Sequence, residues 1–193
     1  MARTPSTMLE LGTKAPAFDL PNYNTGTGEE RVSVQDAAGP RGLLVMFICN
    51  HCPFVKHLAD PLAALVHQWQ PEGLATFAIQ SNDIDTYPQD GPAAMAEEIA
   101  ARGYRFPYLL DEDQSVAHAF GATCTPDFFL YDQDRRLVYR GQFDETRPDQ
   151  GEPHGADLDT AIEAVLEGRD VPAEQHPSIG CNIKWKPGGE PEG

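Results

Sequence analysis

The chain is poor in cysteine, in basic residues and in long apolar runs. It has four cysteines among 193 residues, too few for a disulfide scaffold, and sparse cysteines in a reducing compartment are more often catalytic or metal-binding than structural. Fourteen basic residues against thirty acidic ones give a formal net charge of −16, which argues against nucleic acid or an anionic membrane as a partner. No apolar run approaches the roughly 18–20 residues of a membrane span, and residues 1–9 lack the apolar core and cleavage site of a secretory signal. These absences predict a cytoplasmic protein with neutral, cationic or proteinaceous partners.

A short apolar run leads directly into a dithiol. Six apolar residues, Leu43 to Ile48, predict a strand covered on both faces. The motif Cys49-Asn50-His51-Cys52 follows at once, and apolar residues then recur on one helical face as far as Trp69. The pattern therefore predicts a Cys-x-x-Cys pair at a strand-to-helix turn.

That position favours redox chemistry. The first turn of a helix stabilises an anion, and a neighbouring histidine inside such a motif adds to the effect, so a cysteine pKa falls from about 8.5 into the range of roughly 3.5–7.5. A structural or accidental motif, or half of a zinc site, is the alternative. A zinc knuckle needs a second closely spaced pair, whereas Cys124 and Cys181 stand alone.

The remaining pattern predicts one α/β domain. We expect an N-terminal arm over residues 1–12, a domain over 13–170 and a C-terminal tail over 171–193 that docks on the domain. The expected elements are a β-hairpin (16–20 and 30–34), a loop (37–42), the central strand, a parallel strand (74–79), a helix (92–102) capped by Asp90, a second hairpin (127–131 and 137–140) and a last helix (158–166) capped by Asp157 or Asp159.

The loop after the second parallel strand offers further site residues. Ligands of open α/β sheets bind beyond the carboxyl ends of the strands, which makes Asn82 and Asp83 candidates for lining the site. A solvated loop is the plain alternative for each.

This order of elements resembles the thioredoxin-like fold, with the N-terminal hairpin and inserted helix of the peroxiredoxin-like branch (redoxins similar to alkyl hydroperoxide reductase and thiol-specific antioxidant proteins). The resemblance covers roughly residues 13–168 by element order. The segments 47–57, with its Cys-Asn-His-Cys-Pro motif, 80–83 and 178–186 are similar to a bacterial, largely uncharacterised subgroup. The fold class it implies is a central mixed sheet flanked by helices.

The resemblance also implies residue roles. It makes Cys49 the attacking thiolate and Cys52 the resolving thiol. It makes Thr125-Pro126 the cis-proline loop, which faces the dithiol and offers backbone groups to an extended substrate peptide. With Asn82, these two residues form the expected substrate-binding set.

The chain departs from the thioredoxins and from the peroxiredoxins, the two families of that fold that it resembles. Thioredoxins carry a buried carboxylate six residues before the first cysteine, where this chain has Leu43, so His51 or a loop residue is left as the proton acceptor. Peroxiredoxins place the peroxidatic cysteine at the position of Cys52, but their proline and threonine positions are Val45 and Cys49 here. Thr125-Pro126 stands where their arginine is expected. Since peroxide cleavage relies on those groups, peroxidase activity ranks second.

Cys124 and Cys181 are possible additional redox residues. Cys124 lies two residues before Pro126 and is expected close to the dithiol. Cys181 lies in a tail whose Ile183 and Trp185 suggest docking. The tail is expected to bring Cys181 near Cys124 or the dithiol, as a second redox pair or a resolving thiol, and four cysteines allow three pairings. A small buried hydrophobe is an equal alternative for Cys124.

The sequence thus predicts a thiol–disulfide oxidoreductase in which Cys49 and Cys52 form the redox pair and His51 stabilises the thiolate. No cofactor or metal is expected. The expected substrates are protein or small-molecule disulfides, with peroxides as a second class, and a thioredoxin or a low-molecular-weight thiol as the reducing partner. A metal-binding or redox-sensing module is the third possibility.

Overall fold

A five-stranded mixed sheet forms the centre of the molecule in the computed structural model, which describes residues 3–37 and 40–191. The strands are β1 (Arg3–Pro5), β2 (Asp19–Pro21), β3 (Arg31–Ser33), β4 (Gly42–Phe47), β5 (Leu74–Gln80), β6 (Tyr108–Leu110), β7 (Cys124–Thr125), β8 (Asp127–Tyr131), β9 (Leu137–Gly141) and β10 (Ile179–Asn182). The helices are α1 (Pro53–Trp69), α2 (Pro92–Arg102), α3 (Ser115–Phe120) and α4 (Ala156–Leu166).

The central sheet has the order β6-β5-β4-β8-β9. Strand β4 runs parallel to β5 and antiparallel to β8, and each of its residues is buried. Because side chains alternate along a strand, Leu44 and Met46 enter one apolar cluster with α1, whereas Val45 and Phe47 enter a second cluster with α3. The predicted mixed sheet with helices on both faces is confirmed.

The N-terminal hairpin and the inserted helix are confirmed as well. Strands β2 and β3 pair antiparallel, and α2 lies between β5 and β6. Helix α2 ends at Arg102, and the next residue, Gly103, has a φ of 64°, a left-handed conformation that glycine adopts without strain. The predicted cap of α4 was wrong: the helix begins after Gly155, and Asp157 lies in its first turn.

Three short strands form a separate sheet in the order β1-β10-β7. This sheet joins segments from near both ends of the chain to the strand before Pro126. Gly180 allows the close approach of β10 to β7, since a Cβ atom there would lie 2.0 Å from the Thr125 carbonyl oxygen. Any larger side chain at Gly180 would push the two strands apart.

The segment after β10 continues to contact the domain. Ile183 is buried in the α3-side cluster and its amide donates to the Thr123 carbonyl at 2.9 Å. Trp185 packs on His118 with a ring separation of 4.5 Å. These contacts fix the course of the chain beyond the strand.

Parts of three predicted segments lie outside the described residues: residues 1–2 of the arm, 38–39 of the loop before β4, and 192–193 of the tail. Within the described ranges, the structure contains no helix with the length and apolar character needed to span a membrane.

Candidate active site

The Cys-x-x-Cys motif lies between the end of β4 and the start of α1. Cys52 is the N-cap residue of α1, and Pro53 occupies the first turn, where its missing N–H costs no hydrogen bond. Cys49 is 1% exposed and Cys52 is fully buried. The dithiol thus lies where the sequence pattern predicts it, but another segment of the chain covers both sulfurs.

The Thr125-Pro126 peptide bond is cis and lies against both sulfurs, as the resemblance implies. The Thr125 hydroxyl is 3.3 Å from Cys49 Sγ. As a thiol, Cys52 donates to the Thr125 carbonyl oxygen at 3.2 Å. The cis-proline loop therefore touches both members of the pair.

The cover is strand β10, which brings Cys181 to the same place. Cys181 pairs in register with Thr125 and is 1% exposed. Its side chain hydrogen-bonds the Cys52 sulfur. Three sulfur atoms thus adjoin one another, with Cys52 in the middle.

The hydrogen bonds around Cys52 favour its thiolate. The thiol of Cys181, then the thiol of Cys49, and the backbone N–H groups of Val55 and Cys181 all donate to its sulfur. Together they lower the pKa of Cys52 to about 2, against the opposing effect of burial. The thiolate gains these donors and gives up only the hydrogen bond to the Thr125 carbonyl.

The pKa of Cys49 moves the opposite way. Its proton is held chiefly by the hydrogen bond to Cys52, then by burial and by the charge of Asp90, which raise its pKa well above the usual thiol value. The resemblance implies that Cys49 is the thiolate, whereas the hydrogen bonds in this reduced site favour the negative charge on Cys52. Which sulfur attacks a substrate first stays a prediction.

A buried carboxylate, Asp90, holds the motif in place. Its Oδ1 accepts from the amides of Asn50 (2.9 Å) and His51 (3.2 Å), and its Oδ2 accepts from the Asn82 side chain at 2.8 Å. Sequence reasoning missed this residue and took it for the cap of α2, whose N-cap is Gly91. Only the tertiary fold reveals that Asp90 faces the dithiol loop.

His51 is directed to the same carboxylate. Its Nδ1 lies 2.5 Å from Asp90 Oδ2, and its ring stacks on Tyr87 with a centroid separation of 5.7 Å. The role predicted for His51, stabilisation of the thiolate, stays a prediction. The contact that the structure shows joins His51 to Asp90.

Asn82 has both ends of its side-chain amide in use. Its nitrogen donates to Asp90 and its oxygen accepts from the Lys184 amide at 2.8 Å. The side chain was expected to line a substrate site. In this arrangement it joins the motif loop to the segment after β10. Asp83, the neighbouring candidate, likewise uses its amide to bind the Lys184 carbonyl.

Tyr108 is a further residue that sequence reasoning missed. Its buried hydroxyl donates to Asn50 Oδ1 at 2.9 Å, and burial is the main cause that raises its pKa well above the ordinary value. Nothing in the local pattern of the 104–110 segment indicates this contact, because it joins residues that are 58 positions apart.

Cys124 lies in β7 but has different surroundings from the other three cysteines. It is fully buried, its Sγ is 3.7 Å from the Pro126 carbonyl oxygen, and burial is the first cause that raises its pKa. Asp127, three residues further along the chain, is also fully buried, and neither of its carboxylate oxygens accepts a hydrogen bond of normal geometry. Burial raises the pKa of Asp127 well above its usual range.

Two clusters among the described residues offer donor atoms of the kind that bind metals. Atoms of Cys49, His51 and Asp90 lie within 4.8 Å of one another, and so do atoms of a second group, Asp144, Glu145 and His154. In the first cluster the histidine and the carboxylate already hydrogen-bond each other, so a metal ion would have to replace that bond.

A buried pair of cysteines at the start of α1, opposite a cis-proline on a mixed sheet, is the arrangement of the thioredoxin-like fold. A family model described as the AhpC/TSA family matches residues 11–140. The chain belongs to that family.

Solved structures agree with this assignment. A hypothetical protein of Sinorhizobium meliloti 1021 is 48% identical, with a TM-score of 0.91 over 95% of this chain and 98% of its own. The thioredoxin domain of a Bacteroides vulgatus thiol-disulfide oxidoreductase (17% identity, TM-score 0.60, 80% and 99% covered) and the Mycobacterium tuberculosis peroxidoxin BcpB (18%, 0.59, 82% and 97%) share the fold. No curated protein matches the chain significantly.

Proposed function

We propose that this redoxin is a thiol–disulfide oxidoreductase whose redox couple is Cys49 and Cys52. One observation carries the proposal: the two thiols at the start of α1 hydrogen-bond each other and both contact the cis-proline loop, with contacts that favour the thiolate on Cys52 and the proton on Cys49. A dithiol that keeps one thiolate and one proton holds both a nucleophile and a protonated resolving group.

The reaction follows from that asymmetry. The Cys52 thiolate attacks one sulfur of a disulfide, the other sulfur leaves as a thiolate, and a mixed disulfide forms on Cys52. Cys49 then loses its proton and attacks Cys52 Sγ, the bound substrate thiolate leaves, and a Cys49–Cys52 disulfide remains. The substrate gains two electrons and the protein loses two. This order replaces the attack by Cys49 that the resemblance implies.

The Asp90–His51 pair supplies a destination for the Cys49 proton. Both side chains have an atom within 4.8 Å of Cys49 Sγ, and His51 is partly exposed, so it can pass a proton on to solvent. The pair would take over the role of the carboxylate that thioredoxins carry where this chain has Leu43.

The proposed partners are protein or small-molecule disulfides, and a thioredoxin or a low-molecular-weight thiol that returns electrons in the cytoplasm. The cavity beside the cis-proline, which Phe54, Pro126 and Ile179 help to line, has a volume of about 20 Å³. That is room for about one water molecule. A peptide disulfide therefore reaches Cys52 only when β10 moves aside, whereas a small disulfide needs a smaller opening.

The experiment measures insulin reduction and peroxide consumption side by side, with dithiothreitol as the electron source. The variants are Cys49→Ser and Cys52→Ser, with Cys124→Ser as the matched control because Cys124 is equally buried. We expect Cys52→Ser to abolish turnover, Cys49→Ser to lower it because the Cys49–Cys52 disulfide can no longer form, and Cys124→Ser to retain full activity. Insulin reduction that survives Cys52→Ser would refute the proposal.

A thiol-dependent peroxidase is the second candidate. It is favoured by the lowered pKa of Cys52, which occupies the peroxidatic position of the family. In that reaction Cys52 attacks the peroxide O–O bond, an alcohol or water leaves, and Cys49 resolves the sulfenic acid with release of water. Rapid peroxide consumption that survives Cys49→Ser but not Cys52→Ser, without insulin reduction, would select this function.

A further inference from the structure

Cys52 has a thiol on either side. Cys49 and Cys181 both hydrogen-bond its sulfur, and these two contacts are the largest influences that lower its pKa. The proposed function uses only Cys49. Cys181 is also in contact with that sulfur, and a disulfide exchange requires an attacking sulfur that reaches the central one in line with the bond that breaks.

Strand β10 pairs with the strand before the cis-proline, as an extended substrate peptide would, and this pairing places Cys181 beside the dithiol. It pairs antiparallel with β7, with Cys181 opposite Thr125. Gly180 permits the approach. On its other edge β10 pairs with β1, where Arg3 is opposite Cys181. The sulfur is therefore held at Cys52 by pairing on both edges.

We propose that Cys181 is a third redox-active thiol, which takes over Cys52 from Cys49 and produces a Cys52–Cys181 disulfide as a second oxidised form. The proposal rests on the proposed function, since it begins with an oxidised Cys52. In this proposal β10 acts as an internal substrate, because it places a cysteine of the same chain in contact with Cys52.

The step is an exchange without net oxidation. The Cys181 thiolate attacks Cys52 Sγ in the Cys49–Cys52 disulfide, a Cys52–Cys181 bond forms and the Cys49–Cys52 bond breaks. Cys49 leaves as a thiolate and takes up a proton from the Asp90–His51 pair, which has atoms within 4.8 Å of its sulfur, so the exchange releases one proton from Cys181 and binds one at Cys49. Where Cys52 carries a mixed disulfide, the same attack releases the substrate thiolate instead.

Oxidation of Cys52 itself prepares Cys181 for this attack. In the reduced site the hydrogen bond to the Cys52 thiolate is the first cause that raises the pKa of Cys181, and the charge of Lys184 lowers it. Once Cys52 is in a disulfide, that thiolate is gone and the proton of Cys181 is held less tightly. The third thiol is therefore activated when it is needed.

Cys124 provides the internal control. It lies in β7 and is as buried as Cys181, yet its sulfur is directed to the Pro126 carbonyl. A substitution there tests whether loss of any buried cysteine near the loop is enough to alter exchange.

The test uses the full chain and micromolar glutathione disulfide, followed by an acid quench, alkylation of remaining thiols and peptide mapping by mass spectrometry. Four variants are compared with the wild type: Cys49→Ser, Cys181→Ser, Cys124→Ser and the double variant Cys49→Ser/Cys181→Ser. Serine at 181 retains a hydrogen-bond donor, and circular dichroism checks that each variant keeps its secondary structure.

We expect Cys49→Ser to form a Cys52–Cys181 disulfide and to lose its glutathione adduct at least about tenfold faster than the double variant, because an intramolecular thiol acts at an effective concentration of millimolar or above. Cys124→Ser should match the wild type. A folded Cys49→Ser protein that retains its glutathione adduct as long as the double variant would overturn the proposal. The proposed function would still stand if Cys181→Ser forms the Cys49–Cys52 disulfide, and would fail separately if it does not.

Discussion

The pH dependence of the reduction potential offers the sharpest test of the proton arrangement at the dithiol. Cys52 has a lowered pKa and Cys49 a raised one. Between these two values the reduced pair carries one proton, whereas the disulfide carries none. Reduction therefore takes up two electrons and one proton, and not the two protons of an ordinary dithiol.

The expected slope follows directly. For a two-electron couple a tenfold change in equilibrium constant corresponds to about 30 mV, so one proton gives a change of about −30 mV per pH unit and two protons give about −60 mV. Between about pH 5 and about pH 8 the potential should fall by roughly 90 mV, against roughly 180 mV for a pair of neutral thiols.

The measurement is made on Cys181→Ser, which leaves one disulfide couple at the site. The protein is equilibrated with dithiothreitol or glutathione redox buffers at each pH, quenched with acid, alkylated and analysed by mass spectrometry. The wild type is measured in parallel. A slope near −60 mV per pH unit across this range in the wild type as well as in Cys181→Ser would show that Cys52 is protonated when reduced, and it would refute the thiolate assignment.

Three further outcomes test other parts of the structure. Asp90→Asn removes a charged acceptor, so we expect the free energy of unfolding in urea to fall by about 1.5–3 kcal/mol for each hydrogen bond lost. We also expect faster alkylation of Cys49. If neither the free energy nor the alkylation rate changes, the role of Asp90 is contradicted. Gly180→Ala places a methyl group against the Thr125 carbonyl, so β10 should shift. Maleimide should then label Cys52 at least about tenfold faster, as expected when a covering segment opens. A labelling rate equal to that of the wild type would show that β10 does not cover the site. Asp127 has a raised pKa, so its ionisation opposes folding increasingly as the pH rises above about 4, the unfolded value. Asp127→Leu should therefore stabilise the protein at about pH 7, by roughly 1–4 kcal/mol, and by less at about pH 4, and an equal effect at both values in thermal or urea unfolding would be inconsistent with that argument.

Local pattern predicts the elements and the position of the dithiol. The apolar run before Cys49 and the helical periodicity after Cys52 are properties of neighbouring residues, and resemblance adds the loop at Pro126. Asp90 could not be predicted in the same way, because a polar loop residue that precedes a helix has the same local pattern whether it caps the helix or faces another loop.

The distribution of charge between the cysteines also could not be predicted from the local sequence pattern. It depends on which donors reach each sulfur, and one of these donors, Cys181, comes from a strand 129 residues further along than Cys52 (181 − 52). The sequence suggests that the tail docks through Ile183 and Trp185, but the register opposite Thr125 is set by the close approach at Gly180, which is a tertiary feature.

The placement of β10 also has a consequence for synthesis of the protein. All five strands of the central sheet, and the dithiol with them, precede residue 142, so they can fold while β10 is still within the ribosome. During that interval Cys49 and Cys52 lack the third thiol and the strand above them, and the nascent domain exposes its sulfurs to the surrounding thiol pool. Arrival of β10 closes the site, so the order of synthesis separates an early period, in which the two sulfurs are open to solvent, from a later one in which they are covered.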